Sequence, residues 1–401
     1  MTHSADSVRV ARTPLNPPVR LLMGPGPSNP DPRVLAAMGA HPVGHLDPYF
    51  VDLMDETMDA LRQVYRTRNH HTLPISGTGS AGLEAIMLNL LEPGDSAVVC
   101  VNGYFGQRLA ELARRSGADV RTIDAAPGEI VDPDALDRML MERPAKVVAF
   151  VHAETTTGAL QPIQDVVAVA RRCDALVVMD CVTSLGGVRI EVDEWGVDAA
   201  GSCTQKCLGA PPGMGPITVG PRAMTAVRSR KGKPGTWYLD LALLFQYWGE
   251  TGATKKRAFH HTAPVANIYG VHEALRLILD EGLEERWARH HAAHLALVRG
   301  LDGIGLSLFT PAANRCPTIN VVRVPDGVDE ARVRARLLDM GVEMGGGLGA
   351  LAGKVWRVGV MGTNARVPTV EHFLGALDEA LRAEARVHSG STSPARDMTS
   401  R

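Results

Sequence analysis

Three segments of this chain are apolar through their length instead of at every second residue. They are SAVVCV (96–101), AKVVAFVH (145–152) and ALVVMD (175–180), separated by helix-periodic stretches across 106–116 and 164–172. A strand with one wet face alternates, whereas a strand covered on both faces by helices runs apolar without a break. The pattern therefore predicts an α/β fold: a large domain with a mainly parallel sheet in a three-layer α/β/α arrangement. A helix is expected over 51–65, where Val51, Met54, Met58, Leu61 and Tyr65 share helical spacing. Near 270 the texture changes to one long amphipathic helix over 268–300, followed by LSLF, PTINVVRV and WRVGVMG with helices between them. That reads as a smaller C-terminal α/β domain. With 401 residues the chain exceeds what one core usually supports. The expected organisation is an N-terminal arm (1–19), a large domain (20–267), a small domain (268–387) and a disordered tail (388–401, HSGSTSPARDMTSR).

Bulk composition excludes more than it selects. A net charge of −2 gives no reason to expect nucleic acid or an anionic membrane as partner. No apolar run approaches the roughly 20 residues of a membrane span. The opening MTHSADSVRVARTP has no apolar signal-peptide core. Six cysteines in so long a chain, none in a C-x-x-C pair, do not make a disulfide scaffold. The cytoplasm is the expected location.

Two motifs carry chemistry. In ISGTGSAGLEA (75–85), Gly77, Gly79 and Gly82 match G-x-G-x-x-G literally, after a short strand-like stretch and at the start of a helix. A nicotinamide-dinucleotide site needs an acid at the end of the next strand to hold the ribose. That strand ends at Asn102, and Asp95 lies at its other end. A glycine turn feeding a helix N-terminus also cradles phosphate, because free N–H groups and the helix dipole favour an anion there. A tight strand–helix turn with no ligand is the bland alternative. The second motif is the pair VVMDCVTSLGG (177–187) and SCTQKCLGAPPG (202–213). Asp180 ends an apolar strand, at the edge of the sheet where α/β enzymes bind ligands. Lys206 sits in a nearly uncharged stretch before a Gly/Pro-rich turn. If the two converge, they suit pyridoxal 5'-phosphate (PLP): the lysine forms the Schiff base and moves the α-proton, and the carboxylate keeps the pyridine nitrogen protonated. If they do not, they are a strand-end cap and a surface lysine.

With these residues in this order, the chain resembles the class V aminotransferases of PLP fold type I, and within them the alanine–glyoxylate and serine–pyruvate aminotransferase group. The resemblance runs from about 20 to 385 and includes LLMGPGPSNPDPRVL (21–35), NGYFGQR (102–108), HAETTTGALQP (152–162), HHTAPV (260–265) and GLGALAGKVWRVGVMG (347–362). It implies that Thr78, Gly79 and Ser80 hold the cofactor phosphate with help from Gln205. Phe105 stacks on the ring, Thr155 bonds the ring hydroxyl region, and Asp180 pairs with the pyridine nitrogen. Val182 lies on the opposite ring face, and Lys206 is the Schiff-base lysine. Gly26, in the Gly24–Pro25–Gly26 turn, lines the substrate pocket, and Arg357 clamps the substrate carboxylate. It further implies a homodimer with a shared active site, Thr262 reaching the phosphate of the neighbouring subunit.

Three departures qualify the resemblance. Phe259 stands where relatives often have a phosphate-bonding Tyr, and Ser80 where animal relatives commonly have His. Ureidoglycine–glyoxylate aminotransferases, which GTGSAGLEA and VGHLDPYF also resemble, typically show Gln at the position of His45 and Asn beside the HHT motif. His290 and His294, at i and i+4 among charged flanks (EERWARHHAAH), are expected on a solvated helix face with no metal bound. The pairs His70–His71 and His260–His261 are expected to pack in loops, and Cys203 and Cys207 beside the cofactor.

The implied reaction moves an amino group from a small amino acid, alanine or serine, to a small 2-oxo acid, glyoxylate or pyruvate, by a ping-pong mechanism. The alternatives are a ureidoglycine or specialised biosynthetic aminotransferase of the same family, a PLP lyase or desulfurase on the same fold, and a nicotinamide-dependent oxidoreductase built on the glycine motif. A PLP-binding relative without catalysis is a fourth.

Overall fold

The computed structural model describes residues 14–248 and 257–390. Most of the expected arm and tail therefore lie outside the described residues. The chain opens on strand β1 (Leu21–Leu22) and helices α1 (Pro32–Met38) and α2 (Pro48–Tyr65). Strand and helix then alternate: β2 (His71–Ser76), α3 (Gly79–Leu90), β3 (Ser96–Val101), α4 (Tyr104–Arg115), β4 (Asp119–Asp124), α5 (Pro133–Glu142), β5 (Val147–Val151), α6 (Gln164–Arg172), β6 (Leu176–Asp180) and α7 (Val192–Trp195). Strands β7 (Ala199–Gly201) and β8 (Met214–Val219) flank the segment carrying Lys206. Helices α8 (Pro221–Arg228), α9 (Leu241–Trp248), α10 (Val265–Glu281) and α11 (Leu283–Gly303) follow. The last part comprises β9 (Ile319–Arg323), α12 (Glu330–Asp339), β10 (Val342–Glu343), β11 (Gly345–Gly346), β12 (Val355–Gly359) and α13 (Val367–Gly390).

The central sheet has seven strands in the order β2-β8-β7-β6-β5-β3-β4. From β7 to β4 every pairing is parallel, while β8 pairs antiparallel with both β7 and β2. Strands β5 and β6 are buried at every position, as their unbroken apolar sequence requires. Three helices begin with Asp followed by Pro, at Asp31–Pro32, Asp47–Pro48 and Asp132–Pro133. In each the aspartate accepts a first-turn N–H, and the proline occupies a position that has no N–H to lose. Strands are added on opposite sides of β3, with β4 on one side and β5 on the other, and the loops after the parallel strands β3, β5 and β6 open on one edge of the sheet, the usual ligand edge of such folds.

Three expectations change. The helix over 268–300 is two helices, because Gly282 adopts φ +87 between α10 and α11. LSLF contributes only an isolated bridge, Leu308 to Val322. Helix α13 runs to Gly390, past the expected start of the tail at 388. Apolar packing also divides the chain elsewhere than at 268. Helix α10 and Leu283 join the large core. The second core starts at Ala293 on α11 and takes in Met23 beside β1, which pairs with β10.

Candidate active site

The site is built where the loops after β3, β5 and β6 meet the turn between β7 and β8. Lys206 is buried in that turn. Its backbone is held locally by Gly209 N–H donating to Lys206 O at 3.0 Å and by Ala210 N–H donating to Thr204 O at 3.0 Å. The glycine turn near the N-terminus ties down the other side: Ser28 N–H donates to Gln205 O at 2.8 Å and Ser28 Oγ to Lys206 O at 2.9 Å. A Cβ on Gly26, which has φ +114, would meet Lys206 Cγ at 3.1 Å and Cε at 3.2 Å. Only glycine lets this turn lie against the lysine stem.

The lysine amine donates to Thr155 Oγ1 at 2.9 Å and to Thr183 Oγ1 at 2.7 Å. The two hydroxyls are 2.6 Å apart. Burial pushes the Lys206 ammonium below its ordinary pKa, with Cys203 and Asp180 pulling the other way. Asp180, at the end of β6, is 1% exposed. Its Oδ1 accepts the Val182 N–H at 2.9 Å and its Oδ2 faces Arg108 Nη2 at 3.4 Å. Burial raises its pKa, and Arg108 opposes that rise.

The loop after β3 brings Phe105, whose ring centroid lies 5.8 Å from Lys206 Nζ. Its backbone is held by Glu154 from the loop after β5. Glu154 is fully buried, and its Oε2 accepts Phe105 N–H at 3.1 Å and Gly106 N–H at 3.3 Å. Its Oε1 accepts from Thr156 N at 2.9 Å and Thr156 Oγ1 at 2.6 Å. Helix α3 starts at Gly79, where a Cβ would come within 2.7 Å of Cys203 Cβ and 2.9 Å of Ser202 O. The helix N-terminus therefore sits directly on the segment leading to Lys206. Thr78 is its N-cap and makes no side-chain cap hydrogen bond. The Oε1 of Gln205 is buried without a partner among the described residues.

From the small domain, Arg357 on β12 is 7% exposed and donates from Nε to Gly346 O at 2.7 Å. That is its one side-chain hydrogen bond among the described residues. Burial lowers its pKa, and the Glu154 carboxylate works against that.

The model of the aminotransferase class-V family matches residues 23–361. The chain belongs to the class V aminotransferases. It is 38% identical to the (S)-ureidoglycine–glyoxylate transaminase of Bacillus subtilis, over 94% of this chain and 95% of that one. It is 40% identical to the alanine–glyoxylate aminotransferase of Callithrix jacchus, over 92% and 89%. The crystal structure of an alanine–glyoxylate aminotransferase from Nostoc sp. superposes with a TM-score of 0.91 at 48% identity, covering 95% of this chain and all of that one.

The family's cofactor is PLP, and the donor set fits it. A buried amine lies 5.8 Å from the centroid of an aromatic ring, a buried carboxylate ends the neighbouring strand, and the N-terminus of a twelve-residue helix supplies amide donors. The structure thus brings Thr78, Gly79, Ser80, Phe105, Thr155, Asp180, Val182, Gln205, Lys206 and Gly26 to one place. Thr262 is exposed and makes no side-chain hydrogen bond among the described residues. The nicotinamide alternative loses its topology, since β2, which feeds the glycine motif, is an edge strand paired with β8, and four strands stand between it and β3, the next strand in the chain.

Sequence reasoning did not single out Thr183, Glu154 or Arg108, although each lies inside a quoted motif. His290 and His294 are corrected: both are buried, not solvated. His290 Nδ1 contacts Arg286 O at 2.8 Å and its Nε2 accepts the Gly362 N–H at 3.1 Å, while His294 Nδ1 meets Asn320 Oδ1 at 2.7 Å. Cys203, Cys207 and Cys316 are buried as well, and burial pushes the first two thiols up to about 11 and about 12. His260 stacks on Trp237 at 4.2 Å and His261 Nε2 lies 2.8 Å from Ser76 Oγ.

Proposed function

We propose that the protein transfers the amino group of a small amino acid, alanine or serine, to glyoxylate or pyruvate, in two half-reactions on one site. The observation that carries this is the buried Lys206 amine, held by two hydroxyls in dry surroundings that push its pKa below the ordinary value. PLP, when bound, supplies the electrophilic carbon and the electron sink for a developing carbanion. Every other part of the reaction falls to the chain. Thr78, Gly79, Ser80 and Gln205 would hold the phosphate, and Phe105 and Val182 the two ring faces. Asp180 would keep the ring nitrogen protonated through its fixed negative charge. Lys206 Nζ would take the α-proton of the amino donor and return it later in the half-reaction, with Thr155 and Thr183 holding the amine in reach. Arg357, whose Nη atoms make no hydrogen bond among the described residues, would bind the substrate carboxylate in a planar fork.

Alanine-sized donors are preferred here over ureidoglycine because His45 and Phe259 adjoin, with ring centroids 5.7 Å apart. They form an aromatic pair at the positions where ureidoglycine enzymes are expected to carry Gln and Asn. A thiolate nucleophile for desulfurase chemistry finds no support, since five of the six cysteines are buried and Cys173 is half-buried. Exposed apolar side chains, Leu15 at 93%, Val19 at 96% and Phe259 at 63%, support a homodimer with Thr262 turned toward the second copy. Unpaired cysteines support a reducing compartment, the cytoplasm. Among the described residues no helix is long and apolar enough to cross a membrane.

The test is visible absorbance of the PLP-loaded protein. L-alanine or L-serine alone should bleach the band, and glyoxylate or pyruvate should restore it. A band that no amino donor bleaches would remove the proposal, and sulfide or ammonia released without an oxo acid would replace it with a lyase.

A further inference from the structure

Arg108 lies one turn after Phe105 on α4 and touches three neighbours from three different elements. Its Nη1 donates to Ser80 Oγ at 3.0 Å, at the N-terminus of α3. Its Nη2 faces Asp180 Oδ2 at 3.4 Å, at the end of β6. Its guanidinium carbon lies 4.7 Å from the Phe105 ring centroid. These neighbours are the residues proposed for three separate parts of the cofactor: phosphate, ring nitrogen and ring face. Asp180 is pinned on one oxygen by the Val182 amide, and Arg108 is the side chain that reaches the other. The Asp180 side chain is 2% exposed, so its charge depends on a partner, whereas the Arg108 side chain is 25% exposed and keeps part of its hydration. A lysine cannot repeat the arrangement. It carries one point of charge, while the planar guanidinium sends donors in two directions and lays its face on an aromatic ring.

We propose that Arg108 is a positioning residue for the cofactor: it locks the free oxygen of Asp180, the plane of Phe105 and the N-terminus of α3 into one register, and so sets how tightly and at what angle the PLP ring is held. The proposal rests on the proposed function, because it takes Asp180, Phe105 and Ser80 as the cofactor's contacts.

The experiment compares the parent with Arg108→Met, which keeps the apolar stem, and Arg108→Lys, which keeps the charge. Three quantities are read: the PLP dissociation constant of the apoprotein, the visible circular dichroism of the loaded protein, and the melting temperature of the apoprotein. Loss of charge-assisted contacts predicts PLP affinity at least about tenfold weaker in Arg108→Met, an altered visible dichroic band, and only partial recovery in Arg108→Lys. An Arg108→Met affinity within about twofold of the parent, with an unchanged dichroic band, overturns the proposal. So does a lowered melting temperature with unchanged affinity, which would make Arg108 a plain structural ion pair. Ser80→Ala in the same series removes one contact without a charge and should weaken PLP binding less than Arg108→Met; an equal or larger effect also overturns it. Failure of the parent itself to bind PLP would instead refute the proposed function, so the two failures are distinct.

Discussion

Replacing Glu154 by Gln changes one atom of a fully buried side chain, and the structure specifies what that atom does. The carboxylate accepts four hydrogen bonds, two per oxygen, three of them from backbone N–H groups. A glutamine keeps one acceptor and turns the other oxygen into a donor. If its oxygen faces Phe105 and Gly106, its NH2 faces Thr156: the hydroxyl there can rotate to accept, but the Thr156 N–H is orphaned. The opposite orientation orphans both Phe105 and Gly106. The better case leaves one buried donor unpaired, about 1–3 kcal/mol, and weakens the remaining bonds by removing their charge, for a total of about 2–5 kcal/mol. Urea unfolding of the apoprotein measures this directly, and PLP affinity reports whether Phe105 has moved. Burial raises the Glu154 pKa and supplies the rival account. A carboxyl already protonated at neutral pH is nearly isosteric with the amide. A Glu154→Gln variant within about 0.5 kcal/mol of the parent would mean that the group is neutral and that the four-acceptor description is wrong.

Other outcomes follow from the same geometry. Lys206→Ala should lose all transamination; normal turnover in that variant would refute the role of the amine. Gly26→Ala combines a conformation at φ +114 with a Cβ 3.1 Å from the lysine stem. It should cost about 1–3 kcal/mol in urea unfolding and lower kcat more than it raises KM. Arg357→Lys should raise KM for both amino donor and oxo acid by about tenfold or more, because the bidentate fork is lost while the charge stays. Burial holds His152 down from the ordinary 6.5 to about 4. The unfolded chain therefore takes up this proton first as pH falls, and stability is lost between those values and not above them. At 1.36 kcal/mol per unit the loss is roughly 3 kcal/mol. The slope of unfolding free energy against pH in that window should flatten in His152→Asn, and an unchanged slope would show that His152 does not carry it.

The strands of the large domain were legible because burial on two faces writes an unbroken apolar run. Asp180 and Lys206 stood out because one charge ends such a run and the other sits in an uncharged turn, although a strand-end cap and a surface lysine would look the same until the fold buries both side chains together. Arg108, Glu154 and Thr183 were not, since each acts by meeting a different loop, and one sequence records no such meeting. The error at His290 has a plain cause. Its charged flanks suggest a wet helix face, but α11 is clamped from outside its own sequence: Arg286 donates to Gly186 O at 2.9 Å and to Cys207 O at 2.6 Å, and Gly362 N–H reaches His290 itself. The break at Gly282 was hidden for the opposite reason, since a lone glycine inside a helical pattern is usually tolerated.

The presence of Met23 in the second core has a mechanical corollary. A fragment cut from α11 onward would lack both Met23 and the strand that pairs with β10, so the small domain cannot be excised as one continuous piece. The same connection makes the turn at 24–28 a tether. Its start is anchored in the small domain, its end is bonded to the backbone of Gln205 and Lys206, and Gly26 lies against the lysine stem. Any swing of the small domain pulls on that tether, so the lysine feels the motion of a domain to which it does not belong.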